Sequence, residues 1–265
     1  MGILKIYEIK LRNKNYSDNT IEIYCSYLGN FLRLMDIKDP YQVRTLEISD
    51  FLENFNYTSI SQQNQYIGTL KLFAKLILNK KDIHLSKIKR PRGERKLPRV
   101  IDTRLIKEQL SKIDNLKHKA ILTLTYSVGL RVSEVVSIKI EDIDSTRMII
   151  YINNAKGKKD RIVPLSKTVL KLLRSYFKMY KPTEYLFNGQ KKNKYSIGSC
   201  QKIYKKYIDI NTSIHCLRHS SFTALVENGT NQRIIQKIAG HSSSKTTEIY
   251  THISNEILNK VELPI

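Results

Sequence analysis

The carboxyl-terminal part of the sequence holds histidine, arginine and tyrosine residues at spacings that suit attack on a phosphate diester. It contains HCLRH at 215–219, a Gly-His pair at 240–241 and Tyr250. Farther upstream, Arg131 lies in the segment GLRVSE and Lys156 lies in AKG. These residues supply a phenol, guanidinium groups, imidazoles and an ammonium group, which are sufficient for phosphoryl transfer without a metal or a nucleotide.

Attack on a phosphodiester is slow because its anionic oxygens repel nucleophiles and its alkoxide leaves poorly. Arg131 and Arg218 are the candidates for holding the non-bridging oxygens, since each guanidinium can direct two N–H donors at them. Lys156 is the candidate for giving a proton to the departing 5′ oxygen, provided that nearby guanidiniums lower its pKa.

Tyr250 is the candidate nucleophile, because a phenol with a pKa of about 10 forms a phosphate ester that can be resealed without ATP. His215 is the candidate acceptor of the phenol proton, and His241 can hydrogen-bond the scissile phosphate. Each residue also has an ordinary interpretation, since Tyr250 is one of 16 tyrosines and Arg131 could simply pair with Glu134. A zinc site built from the histidines is disfavoured, because no second pair of ligands follows at finger spacing.

The composition indicates a polyanionic partner. The 265 residues carry 46 Lys and Arg against 24 Asp and Glu, a formal charge of +22, which is typical of nucleic-acid-binding proteins. A genome biased toward Lys, Ile, Asn and Tyr is the alternative explanation. The three cysteines form no Cys-x-x-Cys pair, so a disulfide framework is not indicated. We expect no signal peptide and no membrane span, and hence an intracellular protein, in cytoplasm or nucleoid if prokaryotic or in a host compartment if viral.

Hydrophobic periodicity predicts helices in the first third of the chain. Asp18 and Thr20 offer N-cap oxygens just before an apolar stripe over 21–35. A second stripe covers 67–78, and a shorter helical candidate covers 41–55. This part of the chain is therefore predicted to be a small helical unit.

The predicted domains are a helical domain over 1–86, a basic linker over 87–98 and a second domain over 99–265. The linker contains two prolines and a glycine, so it cannot be a core helix. A solvated connection is the simple interpretation, and contact with a DNA backbone is the functional one. The candidate DNA-contacting residues, including two in a later hairpin, are Lys87, Lys89, Arg90, Arg92, Arg95, Lys96, Arg99, Lys158 and Lys159.

The second domain is predicted to be mostly helical. A buried helix ends at Gly129, and Ser166 caps a helix whose apolar side includes Phe177. A further helix covers 219–228, and Thr230 caps the one after it.

A β-hairpin is predicted between these helices. Residues 148–152 are β-branched and apolar, and residues 161–165 are again of extended type. The polar segment between them places Lys156 at or just before the hairpin tip. The stretch from Lys181 to about Asn211 has no clear pattern.

The order of these motifs resembles the tyrosine recombinases of the phage integrase superfamily, with the short two-domain layout of the Xer type. The similarity extends over nearly the whole chain. The matching segments are GLRVSE at 129–134, AKGKKDRIVPL at 155–165, HCLRH at 215–219, AGHSS at 239–243 and TEIYTH at 247–252. Cys216 and Ala239 depart from the family pattern, which commonly has a larger aliphatic residue at the second of these positions.

The resemblance implies a mainly α fold, in which a helical SAM-like core-binding domain precedes a mostly helical α+β catalytic domain with a small antiparallel sheet. It implies that Tyr250 forms a 3′-phosphotyrosyl bond with the assistance of Arg131, Lys156, His215, Arg218 and His241. The implied partners are double-stranded DNA with specific recombination sites and a tetramer of this chain acting through a Holliday junction, with a monomer when free. No cofactor is implied. The helical spacing over 253–261 is typical of a terminal helix that packs on its own chain, whereas the resemblance implies that this segment docks on a neighbouring protomer.

The sequence leaves two alternatives open. A type IB topoisomerase shares the phosphotyrosyl chemistry but relaxes supercoils as a monomer, so relaxation of plasmid DNA without pairing of sites would favour it. A non-catalytic DNA-binding protein would occupy its site and leave no covalent complex on a nicked suicide substrate.

Overall fold

The computed structural model describes residues 2–79, 83–93, 97–153, 160–190, 193–241 and 243–253, with the backbone alone at 83, 84, 245 and 251–253. Contacts divide the chain into two compact units, Met1–Arg95 and Lys96–Ile265. Both are mostly helical, and the second contains a three-stranded antiparallel sheet. The predicted mainly α architecture is confirmed. Within the described ranges, no helix combines the length and apolarity that crossing a bilayer requires.

The first unit consists of packed helices around an aromatic-rich core. Its helices are α1 (Ile3–Asn13), α2 (Asp18–Leu34), α3 (Thr45–Asn54), α4 (Ile60–Leu76) and α5 (Ile83–Lys87). The two predicted stripes correspond to α2 and α4, whereas α1 was not predicted. The N-cap of α2 is Ser17, whose Oγ accepts from the Thr20 backbone N–H, so the cap lies just before the predicted Asp18. The buried core includes Tyr7, Leu28, Phe31, Phe51 and Phe73.

The basic segment that follows α5 is held against α4. The Ile88 carbonyl accepts a hydrogen bond from Lys71 Nζ at 2.6 Å, and the Pro91 carbonyl accepts one from Asn64 Nδ2 at 3.2 Å. Arg90 lies over a glycine of α4, because a Cβ at Gly68 would come within 2.8 Å of the Arg90 Nη2. The amino-terminal half of the predicted linker is therefore part of the first unit's surface.

The second unit surrounds the small sheet with helices. Its elements are α6 (Thr103–Ser111), α7 (Leu116–Ser127), α8 (Val132–Val135), β1 (Ile143–Asp144), β2 (Ile149–Ile152), β3 (Arg161–Pro164), α9 (Lys167–Tyr180), α10 (Ile197–Tyr207), α11 (His215–Glu227), α12 (Gln232–Ala239) and α13 (Lys245–Ile253). The strand order is β1-β2-β3, and Ile150 pairs with Val163 across β2 and β3. The predicted hairpin is thus confirmed, while α6, β1 and α10 were not predicted.

Several local predictions for the second unit need correction. Phe177 is 43% exposed, and Tyr176 is buried in its place on α9. The cap of α12 is Asn231, whose Oδ1 accepts from the Arg233 backbone N–H, so Thr230 does not cap it. The helix predicted over 219–228 begins earlier, at the start of α11.

A small apolar cluster joins the last three helices. Phe222 of α11, Ile235 and Ala239 of α12, and Tyr250 of α13 are buried together. Gly129, which ends α7 with a φ of +61°, has its Cα against Phe222, since a Cβ there would lie 2.6 Å from that ring. A side chain at this position would both clash and strain the backbone. The cluster therefore brings the end of α7 close to the middle of α11, the end of α12 and the helix α13.

Candidate active site

Arg131 lies at the start of α8 and is held there by Glu134 of the same helix. Glu134 accepts hydrogen bonds from the Arg131 backbone N–H and from its Nη1, each at 2.8 Å. The ion pair that the sequence suggested as an ordinary interpretation is therefore present. The Arg131 side chain remains 21% exposed, so the pairing does not enclose it fully.

A second guanidinium, that of Arg161 at the start of β3, binds the same carboxylate. Its Nη1 and Nη2 donate to the two oxygens of Glu134, both at 2.8 Å. Burial alone would raise the pKa of Glu134, but the hydrogen bonds and charge of Arg161, followed by the hydrogen bonds of Arg131, lower it to about 2. Glu134 is therefore ionised at neutral pH. Sequence analysis assigned no role to Arg161, although it lies in the hairpin motif.

The lowered pKa of Glu134 predicts a pH-dependent contribution to stability. A carboxyl whose pKa falls on folding stabilises the protein above its unfolded pKa, ordinarily 4.5, and loses that stabilisation as the pH falls toward the folded value of about 2. We expect the difference in unfolding free energy between wild type and Glu134→Gln to be largest above pH 5 and to shrink by ~3 kcal/mol toward pH 2. Chemical denaturation at a series of pH values measures it.

The exposed Glu108, which pairs with Lys112 at 2.6 Å on α6, provides the control for that experiment. Surface ion pairs contribute little because solvent screens them. Glu108→Gln should therefore leave the pH dependence of unfolding close to that of the wild type. A Glu134→Gln difference that stays constant across the same pH range would contradict the assigned pKa.

Arg218, on the first turns of α11, is almost fully buried, with 2% exposure. Its Nη1 donates to the Gly129 carbonyl at 2.5 Å, and its Nη2 donates to the Ala239 carbonyl at 2.7 Å. The guanidinium carbon also lies 4.7 Å from the centre of the Phe222 ring. Burial, followed by the charge of Arg131, lowers the pKa of Arg218 to about 10, which leaves it charged at neutral pH.

His241 follows Gly240, whose φ of +63° ends α12. Its Nε2 lies 3.1 Å from Arg218 Nη2, and its Nδ1 lies 3.0 Å from Thr247 Oγ1. Because arginine can only donate, Nε2 accepts, and the ring proton of a neutral imidazole is then on Nδ1, which donates to Thr247. Burial, followed by the charges of the neighbouring arginines, lowers the pKa of His241 to about 4, so the ring is neutral at pH 7.

Tyr250 is brought to the same place by α13. Its side chain is 3% exposed, and its hydroxyl lies 3.2 Å from His219 Nδ1. The Tyr250 and His241 rings are nearly parallel, with centroids 6.3 Å apart, and the Phe222 ring lies 5.3 Å from that of Tyr250. Burial raises the pKa of the phenol, and the charges of neighbouring arginines, Arg218 first, partly oppose this.

His215, the predicted acceptor of the phenol proton, lies at the start of α11. The hydrogen bond of the Tyr250 hydroxyl goes to His219, one turn later on α11, and the exposed His215 ring packs edge-on against that of His219 with centroids 4.7 Å apart. Desolvation, followed by the charges of Arg218 and Arg131, lowers the pKa of His215. The i, i+4 spacing within HCLRH could have indicated the contact between His215 and His219, because residues four apart share a helix face.

The remaining candidate residues divide into two groups. Five of them lie outside the described residues, namely Arg95, Lys96, Lys156, Lys158 and Lys159. The other candidate DNA-contacting residues, which are all exposed, are Lys87, Lys89, Arg90, Arg92 and Arg99.

The site has the electrostatic character of an anion-binding centre. Glu134 is bound by Arg131 and Arg161, and Arg218 lies near it. The neighbouring His241 is neutral at pH 7. Their positive charge exceeds that of the carboxylate. A singly charged phosphodiester beside Arg131 would reduce this excess, and its developing charge in a transition state would be stabilised further.

Comparison with known proteins identifies the family. A profile of the phage integrase family matches residues 101–256, and a profile of the phage integrase N-terminal SAM-like domain matches residues 3–83. The chain belongs to the phage integrase family. This tyrosine recombinase is therefore an enzyme of site-specific DNA breakage and joining. It is 33% identical to the tyrosine recombinase XerA of Pyrococcus horikoshii over 267 residues, which cover 97% of this chain and 91% of that protein.

Solved structures share the same fold. The crystal structure of XerA recombinase matches with a TM-score of 0.57 and 28% identity, covering 97% of this chain and 95% of that one. A lambda integrase dimer bound to a COC′ core site matches with a TM-score of 0.72 and 16% identity, covering 99% of this chain and 97% of that one. The second likeness concerns the fold alone. The recombinase thus has the architecture of known members over nearly its entire length.

Proposed function

We propose that this recombinase cleaves DNA by attack of Tyr250 on a phosphodiester held by Arg131 and Arg218, and that it exchanges strands through a Holliday junction. The observation that carries the proposal is the contact network of the site. Arg218 contacts the carbonyl of Gly129 and the ring nitrogen of His241, and the His241 ring lies over that of Tyr250. Segments far apart in sequence thereby place an anion-binding guanidinium beside a phenol.

The covalent step exchanges one phosphate ester for another. The Tyr250 oxygen forms a bond to phosphorus, the bond from phosphorus to the 5′ oxygen breaks, and the 3′ end of the strand stays attached to the tyrosine. The phenol proton passes to an imidazole, and the 5′ oxygen takes up a proton for which Lys156 is our proposed donor. Because the number of ester bonds is unchanged, the reverse step reseals the strand without ATP.

His219 is our proposed first acceptor of the phenol proton. Its Nδ1 lies 3.2 Å from the Tyr250 hydroxyl, and the His215 ring lies directly behind it. Desolvation, followed by the charges of His215 and Arg218, lowers the pKa of His219 to about 4, so at neutral pH its ring can accept a proton. A phosphate anion bound beside it would raise that pKa and make the imidazole a stronger base.

The partners follow from the same proposal. Double-stranded DNA carrying specific recombination sites is the substrate, and protomers that are monomeric when free act as a tetramer on paired sites. Residues 1–86 form the DNA clamp, residues 87–98 the basic connection and residues 99–265 the catalytic domain. We place the reaction inside the cell, where such DNA lies. The excess of 46 Lys and Arg over 24 Asp and Glu supports a polyanionic substrate.

A nicked suicide substrate tests the proposal. Cleavage near the nick releases a short strand, so religation fails and the covalent complex accumulates. We expect a DNA-linked protein on a denaturing gel, with the attachment mapped by mass spectrometry to the peptide that contains Tyr250. Attachment at another residue would disprove the assignment. Absence of any complex on a substrate that the protein binds would favour a non-catalytic DNA-binding protein.

The exposed basic residues around the linker predict a salt-dependent affinity for DNA. Removing one side chain that neutralises a phosphate should make the slope of log affinity against log salt less steep by about 0.9. Titrations at several salt concentrations measure this slope. Arg90 is left unchanged because its guanidinium packs over Gly68. The basic side chains to be replaced together by glutamine are Lys87, Lys89, Arg92 and Arg99.

A matched variant separates a local contact from a general effect of net charge. The helix α9 carries four exposed basic residues. Replacing these four by glutamine removes the same charge from another surface. The slope should then stay close to that of the wild type. Equal changes in slope for the two variants would contradict a specific role for the linker. The control substitutions are Lys167, Lys171, Arg174 and Lys178 to glutamine.

A further inference from the structure

Arg161 is a buried arginine in the second unit to which the proposed reaction gives no role. Its side chain is 8% exposed, and its partner Glu134 is 5% exposed. Two parallel N–H donors of Arg161 meet the two carboxylate oxygens at 2.8 Å, which is the bidentate geometry that fixes a carboxylate most firmly. The orientation of Glu134 is therefore set by Arg161.

Glu134 transmits this orientation to Arg131. The oxygen that accepts Arg161 Nη1 also accepts Arg131 Nη1, and the oxygen that accepts Arg161 Nη2 also accepts the Arg131 backbone N–H. The carboxylate is thus shared between two arginines. Without the fork from Arg161, Glu134 could rotate, and the guanidinium of Arg131 would no longer have a fixed direction.

The same side chain also reaches the segment that presents His241. Arg161 Nε donates to the Ile238 carbonyl at 2.7 Å, in the last turn of α12. Its Cδ lies against the Cα of Gly240, since a Cβ there would come within 3.0 Å of it. The neighbouring Ala239 carbonyl accepts from Arg218. One side chain therefore contacts both the Arg131 segment and the turn that leads to His241.

We propose that Arg161 is a positioning residue for DNA cleavage, which holds Arg131 and His241 in register with each other and with the start of β3. This inference rests on the proposed function of the site. Arg161 is the first residue of β3, so its contacts also hold the start of that strand. A buried ion pair is often no better for stability than apolar residues of equal volume, which favours a geometric role for this one.

The test compares Arg161→Lys with the wild type in single-turnover cleavage of the suicide substrate at saturating protein. Lysine keeps the positive charge but cannot make the fork and the third hydrogen bond together. We expect the cleavage rate to fall between about 10-fold and 100-fold, because small misplacements of reacting groups have effects of that size. The DNA affinity should stay close to that of the wild type, whereas the lost buried hydrogen bonds should lower the melting temperature, so the rate is expressed per folded molecule. The control is Arg147→Lys, an exposed arginine beside the same sheet that donates to the Tyr151 hydroxyl.

A second variant tests whether the guanidinium group itself is required. Arg161→Ala should be slower still, and guanidinium chloride at a non-denaturing concentration should restore about 10-fold of the rate, whereas sodium chloride at equal ionic strength should not. A purely structural defect in core packing would not respond to the small cation in this way. Rates are expressed per folded molecule, measured by circular dichroism of the same samples.

The possible failures are distinguishable. Arg161→Lys cleaving within threefold of the wild type would overturn the proposal, and so would an Arg161→Lys protein that no longer folds, because the residue would then serve the core. A fall in DNA affinity that accounts for the whole decrease in rate would place Arg161 in binding and overturn it as well. Failure of the wild type to form a Tyr250-linked complex would instead overturn the proposed function.

Discussion

A Tyr250→Phe protein is expected to bind DNA as the wild type does and to form no covalent complex with it. The substitution removes only the phenolic oxygen, so the ring keeps its contacts with Phe222 and His241. His219 Nδ1 loses its hydrogen-bond partner, at a cost to stability of about 1 kcal/mol. Binding is measured by electrophoretic mobility shift, and linkage by a denaturing gel after incubation with the suicide substrate.

The control for this experiment is Tyr176→Phe. Tyr176 is also buried, and its hydroxyl donates to Asn188 Oδ1 at 3.4 Å. This variant should cleave at the wild-type rate, because its hydroxyl has no contact with the site. A covalent complex formed by Tyr250→Phe would remove Tyr250 from the role of nucleophile.

An Arg218→Lys protein is expected to lose about 10² to 10³ in cleavage rate, the usual effect of removing one group that stabilises an oxyanion. Lysine supplies a charge but no planar fork, so it cannot hold the Gly129 and Ala239 carbonyls and a phosphate at the same time. Single-turnover cleavage at saturating protein measures the rate. An unsatisfied buried carbonyl also lowers stability by about 1–3 kcal/mol, so the folded fraction is measured alongside.

The control is Arg174→Lys, since Arg174 lies exposed on α9. It should neither slow cleavage nor change the melting temperature. If Arg218→Lys cleaved as fast as this control, the guanidinium of Arg218 would not be part of the transition-state contacts. If its rate fell only in proportion to its folded fraction, the effect would be structural.

Much of the site could be predicted from the sequence because its residues lie in short motifs with fixed spacing. Arg131, Arg218, His241 and Tyr250 were predicted and are brought together. His219, whose ring nitrogen is the hydrogen-bond partner of the Tyr250 hydroxyl, was not predicted as part of the site. Its contact with Tyr250 depends on how α13 packs against α11. Long-range packing of this kind leaves no local signal.

The buried role of Arg161 was missed for a related reason. An arginine in a polar hairpin is usually solvated, and only the tertiary contact with Glu134 and with the Ile238 carbonyl reveals that it is enclosed. Periodicity predicted the helices, two extended segments around a polar turn predicted the hairpin, and the family resemblance implied the mainly α fold. The helix α10 was not predicted. Its buried residues are Cys200, Ile203 and Tyr204, and only one of these three is strongly apolar.

Tyr250 and Arg218 are almost fully enclosed, at 3% and 2% exposure, and with the roles proposed for them this enclosure would make DNA binding and DNA breakage separate events. The phenol contacts protein rather than solvent in this arrangement, so a phosphodiester would reach it only after neighbouring side chains move. Cutting would then require a local rearrangement, and the turnover rate would depend on the frequency of that rearrangement as well as on the chemical barrier.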